Sequence, residues 1–253
     1  MTWSYDAIAD VYATDMGQSM PFDDVGFYRK LCLTEGGRAL DGRVLELGCG
    51  TGRILIELLR AGVDAVGADR SLPMLARLRR DAAKYTLSPA ALQMDIAQPA
   101  LHGLFELILL PYSLITYLRS AATAVSALRR YASMLADGGC LVLDAFVPKP
   151  VESFADFRPD YWREHGDGFL ARHKRISVQA DGCNRIERRY RLHAADRTLR
   201  EEFFTDETIR PYAPEALASL SAAAGLHADQ WAWDYGNTRG AADAKFATVV
   251  LRR

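Results

Sequence analysis

The run Arg43-Val44-Leu45-Glu46-Leu47, followed by Gly48-Cys49-Gly50-Thr51-Gly52, constrains the fold more than any other stretch of the chain. A short apolar segment ends in three glycines at alternate positions, and a helix-patterned stretch begins at once. A strand, a glycine-cornered turn and a helix, in that order, offer backbone N–H groups and a helix N-terminus to a ligand. Glycine at 48, 50 and 52 lets the turn take positive φ and lets a ligand lie against bare backbone. Glu46, just ahead of the turn, can accept from an ammonium group. That suits a zwitterionic amino-acid moiety better than a pyrophosphate.

Around this corner, strand and helix patterns alternate over 43–47, 52–61, 64–68, 72–84, 90–94, 105–110, 121–136 and 139–146. Such alternation predicts an α/β fold with a parallel sheet covered on both faces. Asp137-Gly138-Gly139 is expected to close the long helix as a glycine C-cap. Further on, 214–224 reads as a helix stopped by Gly225, with strands at about 226–233 and 245–251 completing the sheet. Residues 5–33 are helix-patterned with breaks at Gly17 and Pro21, and Tyr5, Ile8, Ala9 and Tyr12 fall on one helical face. The segment 149–212 departs from the alternation. It reads as linked hairpins with turns at 180–182 and 194–197, flanked by runs 168–179, 184–193 and 198–210. In the middle run, Ile186, Tyr190 and Leu192 share a face, opposite Glu187, Arg189, Arg191 and His193.

Glu46-x-Gly48-x-Gly50-x-Gly52 after a strand resembles motif I of class I S-adenosylmethionine-dependent methyltransferases. The nicotinamide fingerprint needs Gly or Ala at 53, where this chain has Arg53. The companions stand where the resemblance requires them, strongly over about 40–148. Asp69 closes the second strand and is placed for ribose hydroxyls. The resemblance assigns adenine contacts to Asp95 and the backbone N–H of Ile96, and apolar walls to Met74 and Leu110. Cys49 and Arg70 complete the expected cofactor set. Leu110 leads into Pro111-Tyr112-Ser113, the family's strand-four loop, which faces the transferable methyl. The implied fold is a seven-stranded, mostly parallel Rossmann-like methyltransferase sheet with helices on both faces and an inserted antiparallel β lid. It resembles the small-molecule type, sugar N-methyltransferases among them. One domain spans 1–253, with an N-terminal helical cover at 1–38 and the inserted subdomain at 149–212. Tyr12, in a segment that closes over the donor in the family, Tyr112, and His165 in the insertion are the catalytic candidates.

Composition bounds the rest. The chain has 253 residues, 49% hydrophobic and 25% charged, with net charge −1, so no global field recruits nucleic acid or an anionic membrane. Residues 158–200 carry 11 Arg or Lys against 6 Asp or Glu. That surplus is either a solvated sheet face or a source of bidentate contacts to an anionic substrate group. Cys32, Cys49, Cys140 and Cys183 form no C-x-x-C pair and read as reduced thiols of a cytoplasmic protein. No histidine pair has metal-ligand spacing, so no metal is expected. The start, Met1-Thr2-Trp3-Ser4-Tyr5-Asp6, lacks the basic and apolar regions of a signal peptide. Methyl transfer from a sulfonium mainly demands alignment, and no residue stands out as an unavoidable base, which favours an amine acceptor over hydroxyl or carbon. A nucleic-acid methyltransferase is disfavoured because Leu110-Pro111-Tyr112-Ser113 is not the Asn/Asp-Pro-Pro-Tyr that grips a flipped base. The same residues are also compatible with a protein methyltransferase or a non-catalytic donor-binding protein. The expected partner is a small-molecule acceptor, with no nucleic acid and no membrane, and a homodimer is compatible with the chain.

Overall fold

The computed structural model describes residues 4–17 and 20–253, so Met1-Thr2-Trp3 and residues 18–19 of the N-terminal segment lie outside the described residues. The chain divides into two compact units: residues 22–148 with 211–253, and residues 1–21 with 149–210.

The larger unit holds a seven-stranded sheet. Its strands are β1 (Val44–Leu47), β2 (Ala65–Asp69), β3 (Ala90–Gln93), β4 (Phe105–Leu110), β5 (Leu135–Phe146), β10 (His227–Trp233) and β11 (Phe246–Arg252). The order is β10-β11-β5-β4-β1-β2-β3, with β11 antiparallel to both neighbours and the rest parallel. Chain order runs outward from β1 to β3 on one side and from β4 to β5 on the other, where β11 then lies between β5 and the edge strand β10. The reversal between β1 and β4 opens the crevice in which α/β sheets bind ligands, at the carboxyl ends of the strands. Every residue of β1 is buried, as expected for a parallel strand covered on both faces. Leu45, Leu47, Ile108, Leu110, Leu141, Leu143, Val249 and Leu251, alternating along four strands, pack with Ala124, Ala127, Leu128 and Tyr131 of α5 (Ala121–Ser133) and Leu217 and Leu220 of α6 (Pro214–Ala223).

The remaining helices of this unit are α2 (Asp24–Leu31), α3 (Leu55–Arg60) and α4 (Leu72–Ala83). The glycine turn occupies more chain than the pattern predicts, and α3 starts at Leu55 rather than at 52. Even so, the Ile56 N–H already donates to the Gly52 carbonyl at 2.9 Å. The helix expected over 121–136 ends at Ser133, and Asp137-Gly138-Gly139 is no C-cap. Leu135 pairs with Phe105, and the next register pair is Cys140 with Leu107, so 136–139 form an irregularity inside β5 with Gly138 at φ 79°. Pairing to β4 begins so close behind the helix that no room is left for a glycine cap.

The smaller unit is a four-stranded antiparallel sheet, β6 (Phe154–His165), β7 (Gly168–Val178), β8 (Asn184–His193) and β9 (Leu199–Ile209), in sequential order. β6 has no counterpart among the predicted runs. It carries Pro159 and two register shifts against β7, the irregularity that an edge strand tolerates and that erases period-two alternation. Helix α1 (Tyr12–Gly17) belongs to this unit, and Asp15 fastens it there. The Asp15 carboxylate accepts from the Tyr161 hydroxyl, from Arg172 and, at 3.3 Å, from the Tyr190 hydroxyl. Arg172 also donates from Nε to Asp160 at 2.8 Å, which Lys174 meets at 2.9 Å.

Candidate active site

Glu46 sits in the middle of the sheet, opposite Gly67 of β2 and Leu109 of β4, and is 2% exposed. Its Oε2 is buried with no hydrogen-bond partner. Burial pushes the carboxyl up to about 8, against the pull of Arg53 and a backbone hydrogen bond from Leu55. A buried carboxylate oxygen without a donor is costly, so the sheet centre holds an acceptor that a cationic donor would satisfy.

The three glycines of the turn have different reasons. Gly48, at φ 65°, could not carry a Cβ without meeting Leu114 Cδ2 at 2.3 Å, and Gly52, at φ 87°, would meet Leu78 Cδ1 at 2.1 Å. Both answer to the protein's own packing and backbone. Gly50, at φ 53°, donates its N–H to Asp69 Oδ2 at 2.8 Å. Gly67, which the motif spacing did not mark, would drive a Cβ into Cys49 Sγ and Leu55 Cδ2, both at 2.7 Å. It lets the turn and α3 close down on β2. Cys49 is 4% exposed, donates its N–H to the Ala68 carbonyl, and burial pushes its thiol well up, so it is packing rather than a nucleophile.

Asp69 joins the ends of two strands. Oδ2 takes the Gly50 N–H and Oδ1 takes the Ser71 N–H at 2.8 Å, while Ser71 itself caps α4 by accepting from the Met74 N–H at 3.2 Å. The capping role is therefore Ser71's, and Asp69 faces the turn. Each carboxylate oxygen accepts more than one donor. At the end of β3, Asp95 Oδ1 accepts from the Ala97 N–H at 2.8 Å, and Arg70 lies 3.8 Å from Oδ2 in an exposed pair. The Ile96 carbonyl is pinned by the buried Tyr131 hydroxyl at 2.5 Å. Met74 and Leu110 are 1% and 0% exposed.

The loop after β4 is built on a residue that the pattern of glycines and acidic strand ends did not single out. Tyr112 and Ser113 both take φ 56°, a left-handed conformation that costs a residue bearing a side chain about 1–2 kcal/mol. Their N–H groups donate to Asp144 Oδ2 at 2.9 Å and Oδ1 at 2.6 Å. Asp144, fully buried in β5, also accepts from the Tyr28 hydroxyl of α2 at 2.6 Å and the Tyr235 hydroxyl at 2.8 Å. Burial pushes its carboxyl up while these four donors pull it down, and burial keeps both phenols protonated as donors. The Ser113 hydroxyl accepts from the Phe146 N–H at 2.8 Å. The Tyr112 ring meets Phe146 edge-on at 5.9 Å, and Phe146 lies 4.6 Å from Phe246. An acidic residue inside Leu141-Val142-Leu143-Asp144-Ala145-Phe146 was the available signal, a lone charge in a run buried from Leu141 to Ala145. Arg53 was likewise more than a departure from the nicotinamide pattern, because it forks onto buried Asp24 at 2.6 and 2.5 Å and ties α2 to the glycine turn.

Glu46, Gly48, Cys49, Gly50, Gly52, Asp69, Arg70, Met74, Asp95, Ile96, Leu110 and Tyr112 all belong to the larger unit. Tyr12 and His165 belong to the smaller. There the Tyr12 ring lies edge-on to Tyr5 at 6.0 Å, and His165 Nδ1 is 2.8 Å from the Thr14 hydroxyl.

The family described as "Methyltransferase domain" matches residues 44–139, from the first residue of β1 into β5. A demethylmenaquinone methyltransferase of Thermus thermophilus is 35% identical over 115 residues, 44% of this chain and 50% of that relative. The chain spans about half the length of the curated relatives it matches. An S-adenosylmethionine-dependent methyltransferase from Clostridium acetobutylicum shares the whole architecture, with a TM-score of 0.79 at 15% identity over 98% of both chains. The sugar N-methyltransferase KedS8 from a Streptoalloteichus species aligns with a TM-score of 0.72 at 23% identity, covering 96% of this chain and 92% of that one. The seven-stranded sheet, with the separate antiparallel sheet beside it in the chain, matches the class I methyltransferase fold.

Proposed function

We propose that the chain transfers a methyl group from S-adenosylmethionine to a small-molecule acceptor, an amine in preference to a hydroxyl or a carbon. The observation that carries this reading is the Glu46 oxygen, buried without a donor behind a glycine turn whose Gly50 N–H and Asp69 carboxylate meet. The residues fit the donor: an ammonium group supplies what Glu46 Oε2 lacks. Asp69 would hold the ribose hydroxyls, Asp95 and the Ile96 backbone the adenine, and Met74 and Leu110 the apolar walls. Gly48, Cys49, Gly50, Gly52 and Arg70 would shape the cradle. When bound, the sulfonium supplies a methyl group already activated by its positive charge.

The chain's own task is then to align an acceptor and exclude water, which can lower a barrier by roughly 7–11 kcal/mol. An amine arrives with its lone pair, whereas a hydroxyl or carbon acceptor needs a general base, typically worth about 10²–10⁴-fold. The best histidine candidate, His165, already spends Nδ1 on Thr14, and burial pushes the Tyr161 and Tyr190 phenols up, which supports the amine. The shared fold with a protein named a sugar N-methyltransferase points the same way. For Tyr112, Tyr12 and His165 the proposed role is handling the acceptor, checked by Phe, Phe and Asn variants.

The test is transfer from methyl-labelled S-adenosylmethionine to a panel of amino sugars, simple primary and secondary amines, phenols and nucleic acid. Label on amines, with S-adenosylhomocysteine as co-product, is expected. Transfer confined to phenols or nucleic acid, or no donor uptake by folded protein, overturns the reading.

A further inference from the structure

We infer that Asp144 is a positioning residue for this transfer: from inside β5 it holds Tyr112 and Ser113, in the loop after β4, in their left-handed conformation, and so fixes the backbone that borders the acceptor. The inference rests on the methyltransferase reading above and adds to it a residue that touches neither donor nor acceptor.

The geometry is specific. Two successive residues with side chains, Tyr112 and Ser113, stand at φ 56°, a state that persists only where the surroundings over-determine it. Their adjacent N–H groups point at one carboxylate, each at its own oxygen, 2.9 and 2.6 Å away. Two successive amides turned onto an anion form a nest, and here the anion belongs to the protein and is completely buried. Two phenols complete its coordination. Tyr28 comes from α2, and Tyr235 follows β10, held at positive φ by a turn in which the Asp234 carboxylate accepts from the Lys245 and Phe246 N–H groups at 2.8 and 2.9 Å. Three segments distant in sequence thus converge on Asp144, but only the loop does so through its main chain. The Ser113 hydroxyl, accepting from Phe146 two residues beyond Asp144, seals the same junction.

The two classes of donor separate positioning from mere stability. An amide in place of the carboxylate presents one acceptor and one donor, so one of the two loop N–H groups must lose its acceptor and turn away. Removing one phenol leaves both loop contacts intact.

The experiment compares Asp144→Asn, Tyr28→Phe and Tyr235→Phe in the full chain. It records thermal unfolding, S-adenosylmethionine affinity by calorimetry, and kcat and acceptor KM with the amine of the panel that the unaltered protein turns over, well below each Tm. Expected for Asp144→Asn is a kcat loss of about 100-fold, the scale of a misplacement near 1 Å, with donor affinity within about threefold. Both phenol variants should lower Tm yet keep kcat within about fivefold. A normal kcat in Asp144→Asn, or kcat losses in all three that follow their Tm, overturns the inference. Amide hydrogen exchange in the unaltered protein needs neither a variant nor an acceptor. Tyr112 and Ser113 amides exchanging as slowly as those of β5 support the inference, and exchange at exposed-loop rates overturns it. If the unaltered protein methylates nothing, the functional reading falls, while the exchange measurement still decides whether Asp144 holds the loop.

Discussion

At the residue scale, Glu46 gives the proposed donor-binding site a pH signature. Its carboxyl, pushed up to about 8 by burial, is mostly protonated in the free protein at neutral pH, whereas an ammonium partner needs it ionised. The affinity for S-adenosylmethionine should therefore rise about tenfold per pH unit from about 6 toward 8, then fall as the donor's own α-amino group, near 7.7–8.0, loses its proton. Calorimetry between pH 6 and 9 checks this, and a flat profile excludes the pairing. Glu46→Gln should bind weakly and lose the rising limb. A carboxyl raised in the folded state takes up a proton on folding between the ordinary 4.5 and about 8, so its contribution to stability falls as pH rises through that window. Glu46→Gln, similar to the unaltered protein near pH 4, should be the more stable of the two at pH 8 in urea titrations. Asp69→Ala should weaken donor binding by about 1–3 kcal/mol through unpaired ribose hydroxyls. Unlike Glu46→Gln it should also lower Tm, because the Gly50 and Ser71 N–H groups lose their acceptor. The proposed donor contacts Glu46, Asp69 and Asp95 stand out in the sequence because each is acidic where an apolar run gives way to a turn or a break in pattern. Asp144 does not, since its meaning lies in Tyr28, Tyr112, Ser113 and Tyr235, brought to it only by the fold.

At the scale of elements, β1 to β4 were readable to within a residue at each end, because strands of a covered parallel sheet are largely apolar; β4 occupies the predicted 105–110. The failures have local causes. The glycines at 138 and 139 look like a helix stop, but the Cβ of residue 139 would meet the Phe105 and Glu106 carbonyls at 2.9 and 3.0 Å, so the β4–β5 register requires glycine there. In β6, Pro159 and the paired bulges hide a strand from any alternation count. Gly67, unremarkable in the pattern, leaves no room for a Cβ between β2 and the side chains of Cys49 and Leu55. Gly67→Ala should destabilise by about 1–3 kcal/mol through overpacking against Cys49 and Leu55, read as a shifted urea midpoint with an unchanged slope. In the smaller unit, Asp15→Ala removes one of the two carboxylates that meet Arg172 and takes the acceptor from the Tyr161 hydroxyl, and should cost about 1–3 kcal/mol.

At the scale of the whole molecule, the inserted segment announced itself by a change of period near 149. What the sequence concealed was the allegiance of the first 21 residues. Asp15 meets Tyr161, Arg172 and Tyr190 across separations of 146, 157 and 175 residues, and no local pattern encodes contacts of that range. The N-terminal helical segment therefore divides, with residues up to 21 joining the antiparallel sheet and residues from 22 joining the large sheet, where Asp24 and Tyr28 grip Arg53 and Asp144. The continuous core around Leu45, Ile108, Leu143 and Val249 draws every one of its members from the larger unit. All proposed donor contacts lie there too. A protein beginning at residue 22, with 149–210 replaced by a short Gly/Ser linker, should therefore unfold cooperatively and bind S-adenosylmethionine within about tenfold of the full chain, a loss of about 1.4 kcal/mol. It should show no turnover if Tyr12 and His165 handle the acceptor. A folded variant that fails to bind the donor would move donor recognition into the smaller unit and away from Glu46 and Asp69. One that binds and keeps normal turnover would remove Tyr12 and His165 from the chemistry and leave Tyr112, on the loop that Asp144 holds, as the remaining acceptor contact.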